Sequence, residues 1–256
     1  MTRKILLLLS ALFITFSNID AQQIIAHRGY WKAEGSAQNS IASLKKANEI
    51  KVYGSEVDVW LSSDGVPVVN HDREIAIEGQ SYVIQNTPLS TLRKAKLSNG
   101  EVLPTFEEYL DAFEYCKNIK LIVEFKTHDL AERENELAKK VIDMVNARNL
   151  QDRVEYISFG LNFIFQIRNL APESPVYYLT GEIAPQNLAK LGVGLDYNFN
   201  VFKRQPNWVK EAQNSNVKVN TWTVNNPEDI QAMIDLNVDF ITTDEPLLVR
   251  SIINKK

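Results

Sequence analysis

Cysteine is almost missing. Cys116 is the only one in 256 residues, which excludes an intrachain disulfide. Histidine is nearly as scarce, with three in the whole chain, so a zinc centre built on several imidazoles and thiolates lacks ligands. Positive charge is not in excess. Lys and Arg number 28 against 32 Asp and Glu, for a net charge of -4, and no basic stripe is present, which argues against a nucleic-acid partner. Beyond residue 21 no apolar run approaches the roughly 20 residues that cross a bilayer, so no stable membrane anchor is expected. The glycine-rich turn that a doubly wound nucleotide-binding sheet needs after its first strand is also absent, since Gly29 is followed by Tyr30 and Trp31.

What is present begins with a leader. Arg3-Lys4 precede an almost continuously apolar run, residues 5–16, then a polar stretch ending at Ala21. This is a secretory signal-peptide pattern, with cleavage expected after Ala21, Gln22 as the mature start and a periplasmic or secreted destination. No cysteine stands at the cleavage site, so a lipoprotein is not expected. The rest has ordinary globular composition, 45% hydrophobic and 23% charged. Strand-like runs at 24–27, 55–60, 120–125, 155–158, 175–179, 194–197, 217–223 and 240–243 alternate with helical patterns. Residues 62–65 turn the second strand into a partner run at 66–70, and residues 73–102 are irregular. Pro104-Thr105 opens a helical pattern over 106–117 that carries Cys116, read as a buried thiol. Eight strands each followed by a helix predict one (β/α)8 TIM barrel over residues 22–256, with a short lid insertion after strand two. The sequence fixes no oligomeric state.

In such a barrel chemistry gathers where strands end. Ile24-Ile25-Ala26 runs into His27-Arg28-Gly29, a proton carrier and a phosphate-shaped cation beside a glycine. Glu56 and Asp58 lie two apart on strand two and share a face, as do Glu124 and Lys126 at the end of strand three. His71-Asp72 close the hairpin. Three carboxylates converging in a low-dielectric cleft require a cation, and an all-oxygen set favours a hard ion, Mg2+ or Ca2+. The plainer reading of Glu56 and Asp58 is an ion-pair network with Arg28 and Lys126.

These residues, in order, carry a resemblance. His27-Arg28-Gly29, Gln38-Asn39-Ser40, Glu56-Val57-Asp58, His71-Asp72, the run 103–108, Glu124-Phe125-Lys126 and Trp222-Thr223-Val224-Asn225 resemble the glycerophosphodiester phosphodiesterases. These are a barrel family among the phospholipase-C-like phosphodiesterases. The resemblance implies one divalent cation held by Glu56, Asp58 and Glu124. It implies His27 and His71 as the acid-base pair, with Arg28 and Lys126 near the phosphate. It places residues 73–102 in the family's variable insertion, here short. One position departs: Gln38 stands where the family usually has a glutamate close to the metal. The site is then net positive by one charge, which still attracts a phosphodiester monoanion.

The expected substrate is therefore a small phosphodiester. The metal and Arg28 would neutralise the phosphoryl oxygens, one histidine would take a proton from the nucleophile, and the other would give one to the leaving alcohol. The nucleophile is water or the substrate's own neighbouring hydroxyl. Gln38 is expected to offer its carbonyl oxygen to the metal or its NH2 to a phosphate oxygen, or else to cap the helix near Ser40. Trp222 is read as a contact for the alcohol group or as barrel core. Trp60 and Trp208 are read as core, and His128 as a solvated residue in a polar turn. Two other classes remain open. A phosphodiesterase for intact lipids would show an exposed apolar or basic rim at the mouth. A non-catalytic phosphate-binding barrel would have lost a histidine or a metal carboxylate.

Overall fold

The computed structural model describes residues 22–255, so the expected leader lies outside the described residues. The chain begins with β1 (Gln23–Ala26), α1 (Ile41–Glu49), β2 (Gly54–Leu61) and β3 (Pro67–Val69). The insertion follows as the hairpin β4 (Glu74–Ile77) and β5 (Gln80–Val83) with the short α2 (Leu89–Leu92). Then come α3 (Phe106–Tyr115), β6 (Lys120–Phe125), α4 (Ala131–Ala147), β7 (Val154–Ser158), α5 (Leu161–Leu170), β8 (Val176–Tyr178) and α6 (Pro185–Ala189). The last third holds β9 (Gly194–Asn198), α7 (Phe199–Arg204), α8 (Asn207–Asn214), β10 (Val219–Trp222), α9 (Pro227–Asp235), β11 (Phe240–Thr243) and α10 (Pro246–Ile253).

Eight parallel strands run in the order β1-β2-β6-β7-β8-β9-β10-β11, and β1 also pairs with β11, closing the barrel. β3 adds an antiparallel edge to β2. This is the expected (β/α)8 barrel, and β6 and β11 coincide with the sequence reading residue for residue. The helices form where their signals stand. Ser40 caps α1 by accepting from the Ser43 backbone N–H at 2.9 Å. Thr105 and Glu108 make a reciprocal capping box on α3, and α6, α9 and α10 open on Pro185, Pro227 and Pro246. α7 was not anticipated, because six residues between β9 and α8 carry too short a pattern to detect.

Alternate residues of each strand point into the barrel. Outward-facing residues such as Val57, Leu121, Tyr156 and Leu195 join the helices in the main core. Inside, Ile25, Ile122, Ile157, Tyr177, Leu179 and Phe240 form a separate apolar cluster that plugs the barrel. Gly194 is required by this plug, since a Cβ there would lie 2.3 Å from the Tyr177 ring. The insertion has its own small core, in which Trp60, Val68 and Ile77 meet Ile84, Leu92, Ala95 and Leu103. It also pins the loop after β1. The Glu101 carboxylate accepts from the Ile41 and Ala42 N–H groups at the start of α1, and Asn99 donates to the Gly35 carbonyl. Among the described residues, no helix is long and apolar enough to cross a membrane.

Candidate active site at the barrel mouth

The register of β2 against β6 sets Asp58 beside Glu124 and Glu56 beside Ile122. Because i and i+2 share a face, Glu56, Asp58 and Glu124 all enter the barrel, where each is nine-tenths or more buried. Their ligand oxygens lie within 4.8 Å of one another. Two cations answer three carboxylates. Lys126 Nζ sits 2.7 Å from Asp58 Oδ1 and 2.5 Å from Glu124 Oε1, and Arg28 Nε is 3.7 Å from Asp58 Oδ2. Glu56 Oε2 accepts from the Arg28 backbone N–H at 2.7 Å, but its Oε1 is buried without a partner.

The electrostatics follow from that imbalance. Burial pushes Glu56 well above the carboxylate range, and repulsion from Asp58 and Glu124 adds to it. Burial also lifts Glu124, to about 7, against the pull of Lys126. Burial works the same way on Asp58. There the attraction of Lys126 and His71, with hydrogen bonds from Lys126 and Asn39, outweighs it and holds the carboxyl at about 2. An all-oxygen cluster with an orphaned buried oxygen and surplus negative charge suits a hard divalent cation. The ion-pair network of the plainer reading is present too, but it leaves Glu56 Oε1 without a donor.

The turn after β1 is built to hold these groups. Arg28 has φ 55° and Gly29 φ 77°, and a Cβ on Gly29 would lie 2.3 Å from Ser43 Oγ. An arginine in the left-handed region is strained and persists only when its surroundings hold it. Here the Arg28 carbonyl accepts from Asn39 N–H and Ser43 Oγ, both at 3.0 Å. Asn39, with φ 59°, donates from Nδ2 to Asp58 Oδ2 at 2.7 Å and accepts the Asp58 N–H at Oδ1.

The two histidines are supported differently. His27 Nδ1 pairs with Asp244 Oδ1 at 2.8 Å. Asp244 also accepts from Trp31 Nε1 at 2.9 Å and Asn225 Nδ2 at 2.7 Å, and Asn225 Oδ1 takes the Asp244 N–H. Burial would raise Asp244, but the hydrogen bonds and the attraction of His27 hold its carboxyl well below the usual range. His71 Nδ1 instead pairs at 2.7 Å with Asp72, whose side chain is 80% exposed. Burial together with the cations Lys126 and Arg28 lowers the His71 pKa. His27, Arg28, Glu56, His71, Glu124, Lys126 and Trp222 line one cavity of about 100 Å³. Asp58 is not in that lining but is paired with two residues that are, Lys126 and Arg28. Trp222 both lines the cavity and packs, partly buried, on the apolar cluster inside the barrel. Its Nε1 donates to the Asp196 carbonyl at 2.8 Å and its ring meets the Phe159 edge at 5.5 Å.

Gln38 is exposed and its Oε1 accepts from Arg28 Nη1 at 2.7 Å. The cap of α1 is Ser40, so Gln38 serves the arginine rather than the helix. It lines a second cavity with Trp31, Asn70, His71, Asp72, Leu97 and Ser98, which brings the end of the insertion to the edge of the site. His128 corrects the sequence reading. It is not solvated in a polar turn: Nε2 accepts the Leu61 N–H at 3.1 Å, Nδ1 donates to the Lys126 carbonyl at 2.8 Å, and the ring packs 5.1 Å from Trp60. Both ring nitrogens are thereby committed, because the polar turn folds back over β2. Trp60 is core as read, and Trp208 is partly buried against Tyr197. Cys116 is a buried free thiol.

Sequence reasoning missed four groups: Asn39, Asn225, Asp244 and Asp196. Asn39 and Asn225 stand inside the motifs quoted for other members. Asp244 follows the last strand, next to the strand that ends in His27, so position on the barrel would have found it. Asp196 is buried in the cavity floor with one unpartnered oxygen, its pKa raised by burial, and a lone aspartate on β9 gave no signal.

Comparison with known proteins places these residues in company. The model of the glycerophosphoryl diester phosphodiesterase family matches residues 27–248. A glycerophosphodiester phosphodiesterase of Caldanaerobacter subterraneus is 28% identical over 243 residues, covering 91% of this chain and 98% of its own. The crystal structure of a glycerophosphodiester phosphodiesterase from Parabacteroides distasonis superimposes with a TM-score of 0.89 at 46% identity, over 92% of this chain and 98% of that one. A phosphodiesterase from Oleispira antarctica, solved with the product sn-glycerol-3-phosphate, superimposes with a TM-score of 0.79 at 26% identity, over 91% of this chain and 97% of that one.

Proposed function

The chain belongs to the glycerophosphoryl diester phosphodiesterase family, and from that premise we propose how its own residues cleave a glycerophosphodiester to glycerol phosphate and an alcohol. Glu56, Asp58 and Glu124 hold one divalent cation, Mg2+ or Ca2+, and His27 and His71 carry the protons. The observation that carries this reading is the buried, three-carboxylate cluster with an unpartnered Glu56 oxygen, facing two histidines across one cavity. The cation supplies charge neutralisation at the phosphoryl oxygens when bound. Arg28, held by Gln38 and Glu56, and Lys126 add fixed positive charge where a phosphate would lie.

With Nδ1 of each histidine engaged by a carboxylate, Nε2 is the nitrogen left for proton transfer to or from the substrate. Asp244 fixes the His27 ring, and two further donors, Trp31 Nε1 and Asn225 Nδ2, hold Asp244 in place. The product found in the Oleispira antarctica enzyme supports glycerol phosphate as the product here. Turnover of glycerophosphocholine or glycerophosphoethanolamine with Mg2+ or Ca2+, abolished by chelation and restored by either ion, is the expected result. Full turnover in chelator would remove the cation from the reading.

Export is part of the same proposal, supported by Arg3-Lys4, the apolar run and Ala21. Mass spectrometry of periplasmic protein should find Gln22 at the N-terminus, and an intact Met1 there would overturn it.

A further inference from the structure

The two histidines are held by unequal means. His27 follows directly on β1, and its aspartate is fixed by Trp31 and Asn225. His71 belongs to neither strand nor helix, since β3 ends at Val69 and β4 begins at Glu74. Its carboxylate partner Asp72 is a chain neighbour whose side chain is 80% exposed, so the ring is placed only as well as its backbone is. Upstream, that backbone is tied to β2: the Asn70 N–H donates to the Asp58 carbonyl at 3.1 Å, and Trp60 Nε1 reaches the His71 carbonyl at 3.3 Å.

The downstream end is tied by residues that the mechanism above does not use. Arg73 turns its guanidinium fork onto Asp129: Nη1 donates to Oδ1 at 2.8 Å and Nη2 to Oδ2 at 2.7 Å. Two parallel bonds give an arginine–carboxylate pair a fixed geometry as well as attraction. Asp129 is held in turn by Gln85, which is buried. Gln85 Nε2 donates to Asp129 Oδ2, and its Oε1 accepts the Asp129 N–H at 3.1 Å. The Arg73 carbonyl accepts the Ile84 N–H at 3.0 Å, which closes the insertion's hairpin on the same point. Arg73 lies two residues beyond His71, and Asp129 three beyond Lys126 on the connection after β6. The three side chains therefore join the loop that carries His71 to the strand that carries Glu124 and Lys126. A lone surface ion pair does little. One that is bidentate, backed by a buried amide and set two residues from a reacting group fixes a position.

We propose that Arg73, Asp129 and Gln85 form a clamp that positions His71 for proton transfer, so that the insertion contributes to turnover through this histidine. The inference rests on the role given to His71 under the proposed function. None of the three lines the catalytic cavity or the cavity beside it, so they are positioning residues that touch no substrate. Opening the clamp leaves the three carboxylates, Arg28 and His27 where they are. It lets residues 70–73 sample places from which the His71 Nε2 misses the reacting oxygen, and turnover falls with the fraction of time spent there. The clamp therefore acts on kcat and leaves KM alone.

The test is a double-mutant cycle in kcat, with glycerophosphocholine as substrate and saturating Mg2+. Arg73→Gln and Asp129→Asn should each lower kcat about fivefold, the upper reach of an exposed ion pair, with KM and Mg2+ affinity within twofold of the parent. Both side chains are half exposed, so either variant carries the test if the other fails to fold. Arg73→Lys keeps the charge without the fork and should recover only part of the loss. In a His71→Ala background the same substitutions should lower kcat no further, whereas in a His27→Ala background they should keep their full effect. An equal loss in both backgrounds marks general support of the fold and overturns the clamp. A rise in KM at parental kcat would make Arg73 a substrate contact and overturns it as well. Parental kcat in both clamp variants, with His71→Ala impaired, overturns the clamp and leaves the phosphodiesterase reading standing. Parental kcat in His71→Ala overturns the histidine's role and the clamp together, and no turnover by the parent overturns the phosphodiesterase reading itself.

Discussion

Buried carboxylates stand at both ends of this barrel, and they are provided for in opposite ways. At the lower end Glu155, near the start of β7, is buried with neutral donors: Tyr53 and Tyr177 turn their hydroxyls onto it, and Phe240 packs against both rings. At the upper end Glu56, Asp58 and Glu124 share two cations and leave Glu56 Oε1 without a donor. The lower site is complete with what the chain supplies. The upper one is short of positive charge, and a fold retains such a deficit where something else is meant to bind.

The largest difference between the two ends should appear in turnover. Glu56→Gln, Asp58→Asn and Glu124→Gln should each lower kcat/KM by roughly 10³-fold, the several kcal/mol that a bound cation contributes. Each should also weaken Mg2+ or Ca2+ binding by calorimetry while circular dichroism stays parental. Three variants that bind metal like the parent would place the ion elsewhere. Next in size come the two histidines proposed to carry protons. His27→Ala and His71→Ala should lose roughly 10²–10⁴-fold in turnover. Asp244→Asn should lose roughly 10²-fold or more by freeing the His27 ring. His128→Ala should turn over like the parent but cost about 1–2 kcal/mol of stability in urea, since the Leu61 N–H and Lys126 carbonyl lose their partner.

The upper cluster should also give the metal-free protein a distinctive pH dependence. Glu124 titrates near 7 in the fold, above its unfolded value, and Glu56 is raised as well. Between the two values the folded state binds more protons, so stability falls as pH rises from about 5 to 7.5. The loss should be roughly 1–3 kcal/mol by thermal melts in chelator, should vanish with saturating Mg2+ or Ca2+, and should shrink in Glu124→Gln. A flat metal-free profile would mean that Lys126 and Arg28 already neutralise the cluster. At the lower end Glu155→Gln should do the reverse of the upper substitutions, costing about 1–3 kcal/mol of stability because an amide cannot accept both hydroxyls as well, with kcat/KM within twofold of parent.

The contrast also marks what the sequence could carry. Strand-end polar residues at i, i+2 spacing declared Glu56, Asp58, Glu124 and Lys126, because period-2 alternation makes one face of a strand readable. Helix starts were readable from Ser40, Thr105 and three prolines for the same local reason. The residues that escaped act between the ends of neighbouring strands. Asp244 reaches His27 over 217 positions, Asn39 reaches Asp58 over 19, and His128 reaches Leu61 over 67. Those pairings depend on closure, register and loop path, which no local pattern encodes. Glu155 likewise gave no sign of being a plug, since its tyrosines come from other strands.

Gln38 should produce the smallest effect, and it measures how open the upper site is. Its Oε1 holds Arg28 Nη1 at 2.7 Å from an exposed position, while Arg28 Nε faces Asp58. Gln38→Glu converts that neutral contact into a surface ion pair, worth less than about 1 kcal/mol to stability. The same new charge competes with the substrate phosphate for the Arg28 guanidinium, so KM should rise, by roughly two- to fivefold at low salt. Because the side chain ends on the arginine, any gain in metal affinity should be smaller than this loss in substrate affinity. Salt should shrink the KM difference, since the contact is solvent-exposed and the Debye length falls to about 8 Å at physiological ionic strength. Gln38→Ala should raise KM less than Gln38→Glu, having removed a restraint without adding a charge. Equal KM values for parent, Gln38→Glu and Gln38→Ala at low salt would show that Arg28 is positioned by Glu56, Asn39 and Ser43 alone.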